Sequence, residues 1–405
     1  MNEPRIKGRI LAEIKGNLNA LIYFCRLRQN PHALESSLLH IFPLPLYLIY
    51  DTIKTMHYRI KNKIDRELYK FTANINRLYS LSRISPLLFS CIRDFLLRKG
   101  KRIRPILFIV GYLGFAKKAA PGLYTSALAI ELLHDFMLVH DDIIDKSDKR
   151  RGKPSMHRLL DNYLMAYKDI KFNGIDLSLV VGDVMYAIAI KAFLSIKEDM
   201  ARKEKALKKF IEAAIYTGSG EFIELINGVK NIQKITKQDI YKIYDYKTAR
   251  YTFSTPLSTG AILAGATQSQ VDKLFKLGIY LGRAFQIKDD ILGIFGEEKK
   301  IGKSTLSDLQ ESKKTLLLWY AYNNSGTEQK TSIKKILGKN RVKKSDLLRM
   351  RKIINESGAF KQAEKEIAQL IKKAHALILA TGLRKEYKDY LLNYSSQLLN
   401  PIPGQ

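Results

Sequence analysis

Leu138-Val139-His140-Asp141-Asp142-Ile143-Ile144-Asp145, followed shortly by Arg150-Arg151-Gly152, is the stretch whose reading decides the fold. Apolar residues at helical spacing (Leu128, Leu132, Phe136, Val139) lead into it, so it reads as the end of a packed helix rather than a loop. On an α-helix residues four apart share a face, so Asp141 and Asp145 project together, with Asp142 turned about 100° away. A lone acidic pair of this kind is commonly a solvated face. Here the flanks are apolar, and a second acidic group stands in a similar setting downstream, Gln286-Ile287-Lys288-Asp289-Asp290. Carboxylates embedded in apolar helices suit a hard cation such as Mg²⁺, which takes oxygen ligands and often shares them with substrate phosphates.

Composition narrows the class. The chain has 405 residues, 46% of them hydrophobic, enough for one large domain or two medium ones. Cys25 and Cys91 have no metal-ligand spacing and read as buried thiols in a reducing, cytoplasmic compartment. The formal charge of +30 admits nucleic acid, anionic lipid or anionic small substrates. Its lysines and arginines are dispersed and accompany no nucleic-acid motif, so no nucleic-acid partner is expected.

Helical periodicity recurs along the chain and alternating strand-like runs are scarce. Residues 123–145, 178–196 and 271–295 read as core helices, with 178–196 apolar nearly all round and therefore central. The expectation is an all-α bundle with its site in a cavity between facing helices. Residues 1–63 form a distinct basic extension. Ile6, Ile10, Ile14, Leu18, Leu21 and Cys25 make an apolar face beside Arg5, Arg9, Lys15, Arg26 and Arg28, and an apolar run from Leu38 to Tyr50 contains Pro43 and Pro45. That run is too short to span a bilayer. Capping the bundle or a subunit interface is the first expectation for this extension, and peripheral contact with an anionic membrane the second.

Taken in order, Gly100-Lys101-Arg102-Ile103-Arg104-Pro105, Leu133-His134, the Asp141 cluster with Arg150-Arg151-Gly152, Lys247-Thr248, the Gln286–Asp290 cluster and Lys303 resemble the trans-isoprenyl diphosphate synthases, most closely the archaeal-type geranylgeranyl diphosphate synthases. The resemblance covers about Ile64 to Asn400. It implies an isoprenoid-synthase-type domain over residues 64–405, a homodimer, and a Mg²⁺-dependent condensation of isopentenyl diphosphate with an allylic diphosphate. Under it Asp141, Asp145 and Asp289 bind the metal ions, three per site, with Asp142 and Asp290 in support. Arg150, Lys247 and Lys303 contact the allylic diphosphate. Lys101, Arg104, His134 and Arg151 hold isopentenyl diphosphate, for which arginine's planar fork is well suited. Thr248 and Gln286 shelter the allylic cation with neutral oxygens, helped by the Lys247 carbonyl, and no side-chain base is assigned. Gly293 stands where many members carry a third aspartate, so metal binding is expected to have less redundancy here.

Met137 lies one helical turn before Asp141, and Phe136 is beside it. In the family bulk at these positions floors the cavity for the growing hydrocarbon, and an aromatic at the fifth position alone resembles the type that makes the twenty-carbon geranylgeranyl chain. A longer-chain or farnesyl diphosphate synthase would share every motif and differ at that floor. A terpene cyclase would replace the second cluster with an Asn/Ser/Glu motif. An inactive partner subunit or membrane-binding scaffold would lose part of a cluster, and here both stand.

Overall fold

The computed structural model describes the backbone over residues 44–296 and 305–400, and side chains from Thr55 onward within those spans. The basic face and apolar run before residue 44, Cys25, and Lys303 lie outside the described residues. The chain divides into two compact units, Met1–Thr55 and Met56–Gln405. Helix α1, Leu44–Tyr79, carries Pro45 in its first turn, where a missing N–H costs nothing. It runs unbroken through residue 63, and Met56, Ile60, Ile64, Leu68, Phe71 and Ile75 are buried along it. The larger unit therefore begins at Met56, earlier than the boundary suggested by motif order.

Among the described residues the only strands are a two-residue antiparallel pair, β1 (Lys149–Arg150) and β2 (Lys153–Pro154). Everything else is helix and connection. Helices α2 (Pro86–Leu97), α3 (Ile103–Leu113), α4 (Leu123–Ile144), α5 (Met156–Leu164), α6 (Gly174–Phe193), α7 (Met200–Gly228) and α8 (Lys237–Ile243) are followed by a π-helix, Tyr244–Ser254. Then come α9 (Thr255–Leu263), α10 (Gln268–Phe295), α11 (Leu316–Asn324), α12 (Thr327–Leu337), α13 (Lys344–Glu356), α14 (Ala359–Ala380) and α15 (Lys385–Ser396). The architecture is all-α.

Local chemistry sets several of these boundaries. Ser85 caps α2 by accepting from Leu88 N, with Pro86 at the first position. Asn173–Asp176, Thr236–Asp239 and Thr267–Gln270 form reciprocal capping boxes that start α6, α8 and α10. Helices α3 and α9 pack on each other at the centre, and every residue of α9 is buried. Around them α4 pairs with α6, and α10 lies between the π-helix and α14.

Helix α6 is not the central helix its composition suggests. It buries Val181, Met185, Ile188 and Phe193 on one side and exposes Ile175, Leu179 and Val180 on the other. Periodicity registers apolarity but not what covers it. Cys91 is buried, and burial pushes its thiol up to about 11, so it is an inert core residue. Among the described residues no helix is long and apolar enough to cross a membrane.

Candidate active site

Helix α4 delivers the first cluster at its C-terminal end. Asp141 and Asp145 face the same way, and a third carboxylate joins them from α7: one oxygen each of Asp141, Asp145 and Glu221 lies within 4.8 Å of the others. Helix α7 comes this close because Gly220 has no side chain. A Cβ there would stand 2.6 Å from the backbone N of Lys247. The donor set fits a hard divalent cation: all oxygen, three carboxylates, and a Glu221 Oε1 that is buried with no partner. Burial is the first cause raising the Asp145 and Glu221 carboxyls above their ordinary range, and Lys313 and Lys247 respectively pull them back.

Cations ring this trio. Lys247 Nζ, from the π-helix, lies 2.6 Å from Glu221 Oε2, 2.5 Å from Glu224 Oε2 and 3.6 Å from Asp141 Oδ1. Burial opposes its charge, but the surrounding carboxylates win and hold the ammonium above its usual value. Lys313, half-buried in the chain after α10, lies 3.7 Å from Asp145 Oδ2 and 2.5 Å from Glu311 Oε2. Arg150 donates from Nε to Asp142 Oδ1 at 2.8 Å and from Nη2 to Asp141 Oδ2 at 3.1 Å.

Asp142 is fully buried, its carboxyl pushed up to about 6 by burial against the pull of Arg150. It faces Arg150 and is outside the converging trio, as the helical offset from Asp141 requires.

The second cluster sits on α10, and the π-helix joins it to the first. Thr248, next to Lys247, donates to Gln286 Oε1 at 2.7 Å, and Gln286 Nε2 donates to Asp290 Oδ1 at 2.9 Å. Asp290 also accepts from the Tyr244 hydroxyl, and is buried. Like Asp142, it is turned inward and stands outside the trio, while Asp289 beside it is half-buried. Consecutive residues of one π-turn thus touch both clusters, a geometry associated with functional sites. At Gly293, a Cβ would stand 2.2 Å from Asp308 Oδ2. The space beside Gly293 is therefore filled by the carboxylate of Asp308, brought in by the chain after α10.

Three of the remaining basic residues, Arg104, His134 and Arg151, gather behind α4. Arg151 and Gly152, both at positive φ (55° and 76°), form the two-residue turn between β1 and β2. This sends adjacent arginines apart: Arg150 to the metal-type cluster, Arg151 to Asp135 Oδ1 at 3.1 Å. Arg104 donates from Nη2 to Tyr251 Oη at 2.7 Å and Thr252 Oγ1 at 3.0 Å, and its guanidinium lies 4.6 Å over the Tyr251 ring. His134 Nδ1 is 3.3 Å from the same phenol oxygen. Burial first, then Arg104, holds His134 well below its ordinary value, so it is neutral. Lys101 is exposed, close enough for its charge to add to burial in lowering Lys288.

On the other face Phe136 packs 5.1 Å from Tyr186 of α6 and 4.6 Å from His140, ring to ring, with Met137 half-buried beside it. Sequence reasoning missed Glu221, Glu224, Lys313 and Asp308. Glu221 and Glu224 share a turn of an otherwise amphipathic helix, and only that spacing could have flagged them.

The sequence model of the polyprenyl synthetase family matches residues 85–354. A geranylgeranyl diphosphate synthase of Saccharolobus solfataricus is 32% identical over 297 residues, covering 72% of this chain and 77% of that protein. A short chain isoprenyl diphosphate synthase of Methanocaldococcus jannaschii is 30% identical, covering 74% of this chain and 82% of its own. A crystal structure of geranylgeranyl pyrophosphate synthase from Corynebacterium glutamicum, complexed with isoprenyl diphosphate and magnesium, superposes with a TM-score of 0.76. It covers 84% of this chain and 98% of that one, at 25% identity.

Proposed function

This chain belongs to the polyprenyl synthetase family, and we propose that it is a trans-isoprenyl diphosphate synthase whose main product is geranylgeranyl diphosphate. The observation that carries this reading is the π-turn at Lys247-Thr248, which contacts Asp141 on one side and Gln286 on the other and so supports a single centre shared by both acidic clusters. Mg²⁺ ions, three by this reading, held by Asp141, Asp145 and Glu221 with Asp289 on α10, would neutralise the diphosphate leaving the allylic substrate.

Arg150, Lys247 and Lys303 would grip that diphosphate, and Lys313 adds a cation the sequence did not suggest. The Thr248 hydroxyl proton is committed to Gln286, so its oxygen can turn lone pairs toward the allylic cation without a nucleophile strong enough to trap it. Arg104, neutral His134, Arg151 and Lys101 would hold isopentenyl diphosphate in attack geometry, which supplies much of the rate. The allylic C–O bond breaks first, the alkene of isopentenyl diphosphate then bonds to the cation so formed, and the departed diphosphate takes the proton lost from the adduct as the new double bond forms.

Purified protein with Mg²⁺, isopentenyl diphosphate and each allylic primer should yield a twenty-carbon diphosphate on chromatographic sizing. A longer product would favour the longer-chain synthase, and a fifteen-carbon product the farnesyl type. No condensation with any primer would sink the reading and favour an inactive partner subunit.

The same proposal includes a homodimer. Helix α7, with Val229 just past its end, exposes Ile211, Ile215, Phe222, Leu225 and Val229 at successive spacings of four, seven, three and four residues, with Phe222 66% and Val229 86% exposed. Spacing of that kind is a helix-packing seam. A monomer in size-exclusion with light scattering would reject it. The extension before Met56, whose first expected role is at a subunit interface, is proposed secondarily to meet anionic membranes through Arg5, Arg9, Lys15, Arg26 and Arg28. Equal sedimentation of the full chain with anionic and neutral vesicles would reject that.

A further inference from the structure

Behind the isopentenyl-diphosphate side of α4 lies a pair of buried carboxylates that the reaction above does not use. Glu131 and Asp135 are one helical turn apart, their side chains 3% and 0% exposed. Glu131 is already matched: its Oε1 accepts from Arg102 Nη1 at 2.6 Å. Arg102 is itself anchored to Asp65 at 2.9 Å and to the carbonyls of Leu96 and Arg98. Asp135 has a different arrangement. Its Oδ1 accepts from Arg151 Nη2, while Glu131 Oε1 is more distant from that nitrogen, at 3.7 Å.

Asp135 Oδ2, Arg151 Nη1 and Arg104 Nε are all buried without a hydrogen-bond partner. Buried polar groups are normally satisfied, so three orphans in one basic pocket mark a place where a polar ligand completes the network. Arg151 also sits at φ 55°, a conformation a non-glycine residue holds only when its surroundings impose it.

We propose that Asp135 is a positioning residue for the second substrate: it grips one edge of the Arg151 guanidinium from inside the bundle and leaves the other free for the diphosphate of isopentenyl diphosphate. This rests on the functional reading above, in which Arg151 holds that substrate. Arg104 and Arg102 share the surplus positive charge around the two carboxylates, and neutral His134 adds none. Arg102, Arg104 and Arg151 outnumber the two carboxylates, so the pocket remains attractive to a diphosphate whether Asp135 is ionised or holds a proton.

The test compares Asp135→Leu, which removes the acceptor while keeping the branching of the side chain, with Asp135→Asn, which keeps an acceptor oxygen. A lost hydrogen bond to a charged group implies about a tenfold rise in KM for isopentenyl diphosphate in the leucine variant. The allylic KM and kcat should stay within about twofold, and the asparagine variant within about threefold of wild type on all three. In an Arg151→Ala background, Asp135→Leu should add nothing, because its effect runs through that arginine. An unchanged KM, an equal loss for both substrates, or full additivity with Arg151→Ala would each overturn the proposal. If the leucine variant does not fold, Asp135→Ala takes its place.

Calorimetric titration with isopentenyl diphosphate separates the two levels of the argument. A wild type that binds it without condensing it defeats the proposed function, yet the variants' Kd still decides the role of Asp135. A wild type that does not bind it overturns both.

Discussion

The Thr248 hydroxyl donates to Gln286 Oε1 at 2.7 Å, and this one bond fixes the register between the π-helix and α10 at the centre of the site. The relay continues from Gln286 Nε2 to Asp290 and on to Tyr244, whose hydroxyl donates to Asp290 and accepts from the backbone N–H of Leu316 at 2.8 Å. Residues of the π-helix, α10 and α11 are thereby locked together beneath the acidic clusters. Asp290 belongs to this lock, and burial holds its carboxyl well above the ordinary range despite Tyr244 and Gln286.

Tyr244→Phe should therefore act on stability. It removes a donor from a buried carboxyl and leaves the Leu316 N–H without its acceptor, a loss of about 1–3 kcal/mol. Urea unfolding should show a lower midpoint at unchanged slope, with the Mg²⁺ requirement intact. An unaltered midpoint would mean that the relay contributes no stability.

Glu221 is the carboxylate that the motifs did not supply, and it converges with Asp141 and Asp145 while also pairing with Lys247. Glu221→Gln keeps the shape and removes a charge. The Mg²⁺ concentration for half-maximal activity should rise about tenfold, as expected when a group supporting metal binding is lost. Activity at saturating Mg²⁺ should largely recover. If the Mg²⁺ titration is unmoved, Glu221 only balances Lys247.

Much of this site is legible from spacing. The four-residue offset of Asp141 and Asp145 puts them on one face, and the same rule turns Asp142 inward to Arg150, where it is buried. The all-helical architecture follows from periodicity in the same way. Spacing along one helix cannot report what arrives from another. Glu221 reaches the cluster because Gly220 lets α7 press on the π-helix, and Asp308 fills the space at Gly293 because the chain after α10 folds back. The outward apolar side of α6 departs from the central position its composition suggests for a related reason: hydrophobicity says a face prefers cover and not whether this chain provides it.

Asp135 should also leave a mark on the pH dependence of stability. Burial first, then Glu131, pushes its carboxyl up to about 7, against the pull of Arg151, Arg102 and Arg104. A carboxyl in an unfolded chain titrates near 4. Between these values the folded protein holds a proton that the unfolded chain lacks, so this group favours the folded state at low pH. Its contribution is lost as pH rises through 7. Asp135→Asn has no such titration. Stability of wild type relative to that variant should fall by on the order of 1 kcal/mol from pH 6 to pH 8. Parallel curves for the two proteins would show that Asp135 does not titrate in this range.

Chain length is set, on this reading, by what lies one turn below the metal-binding face of α4. Phe136 packs against the rings of Tyr186 and His140, so by the proposed function its ring would close the space between α4 and α6 along which a tail leaving Asp141 would grow. Met137, half-buried and directly beneath Asp141, is flexible and can yield to a chain; the Phe136 ring, held on both sides, cannot. Phe136→Ala opens that floor, and the next obstruction becomes Tyr186 itself. The variant should make products at least one five-carbon unit longer than wild type, with KM for isopentenyl diphosphate little changed because the basic pocket lies on the other side of the helix. Chromatography of the dephosphorylated alcohols reads this directly. An unaltered chain length would place the floor elsewhere and make Phe136 an ordinary core aromatic, whereas a longer product that Tyr186→Ala extends further would identify the two rings as successive stops.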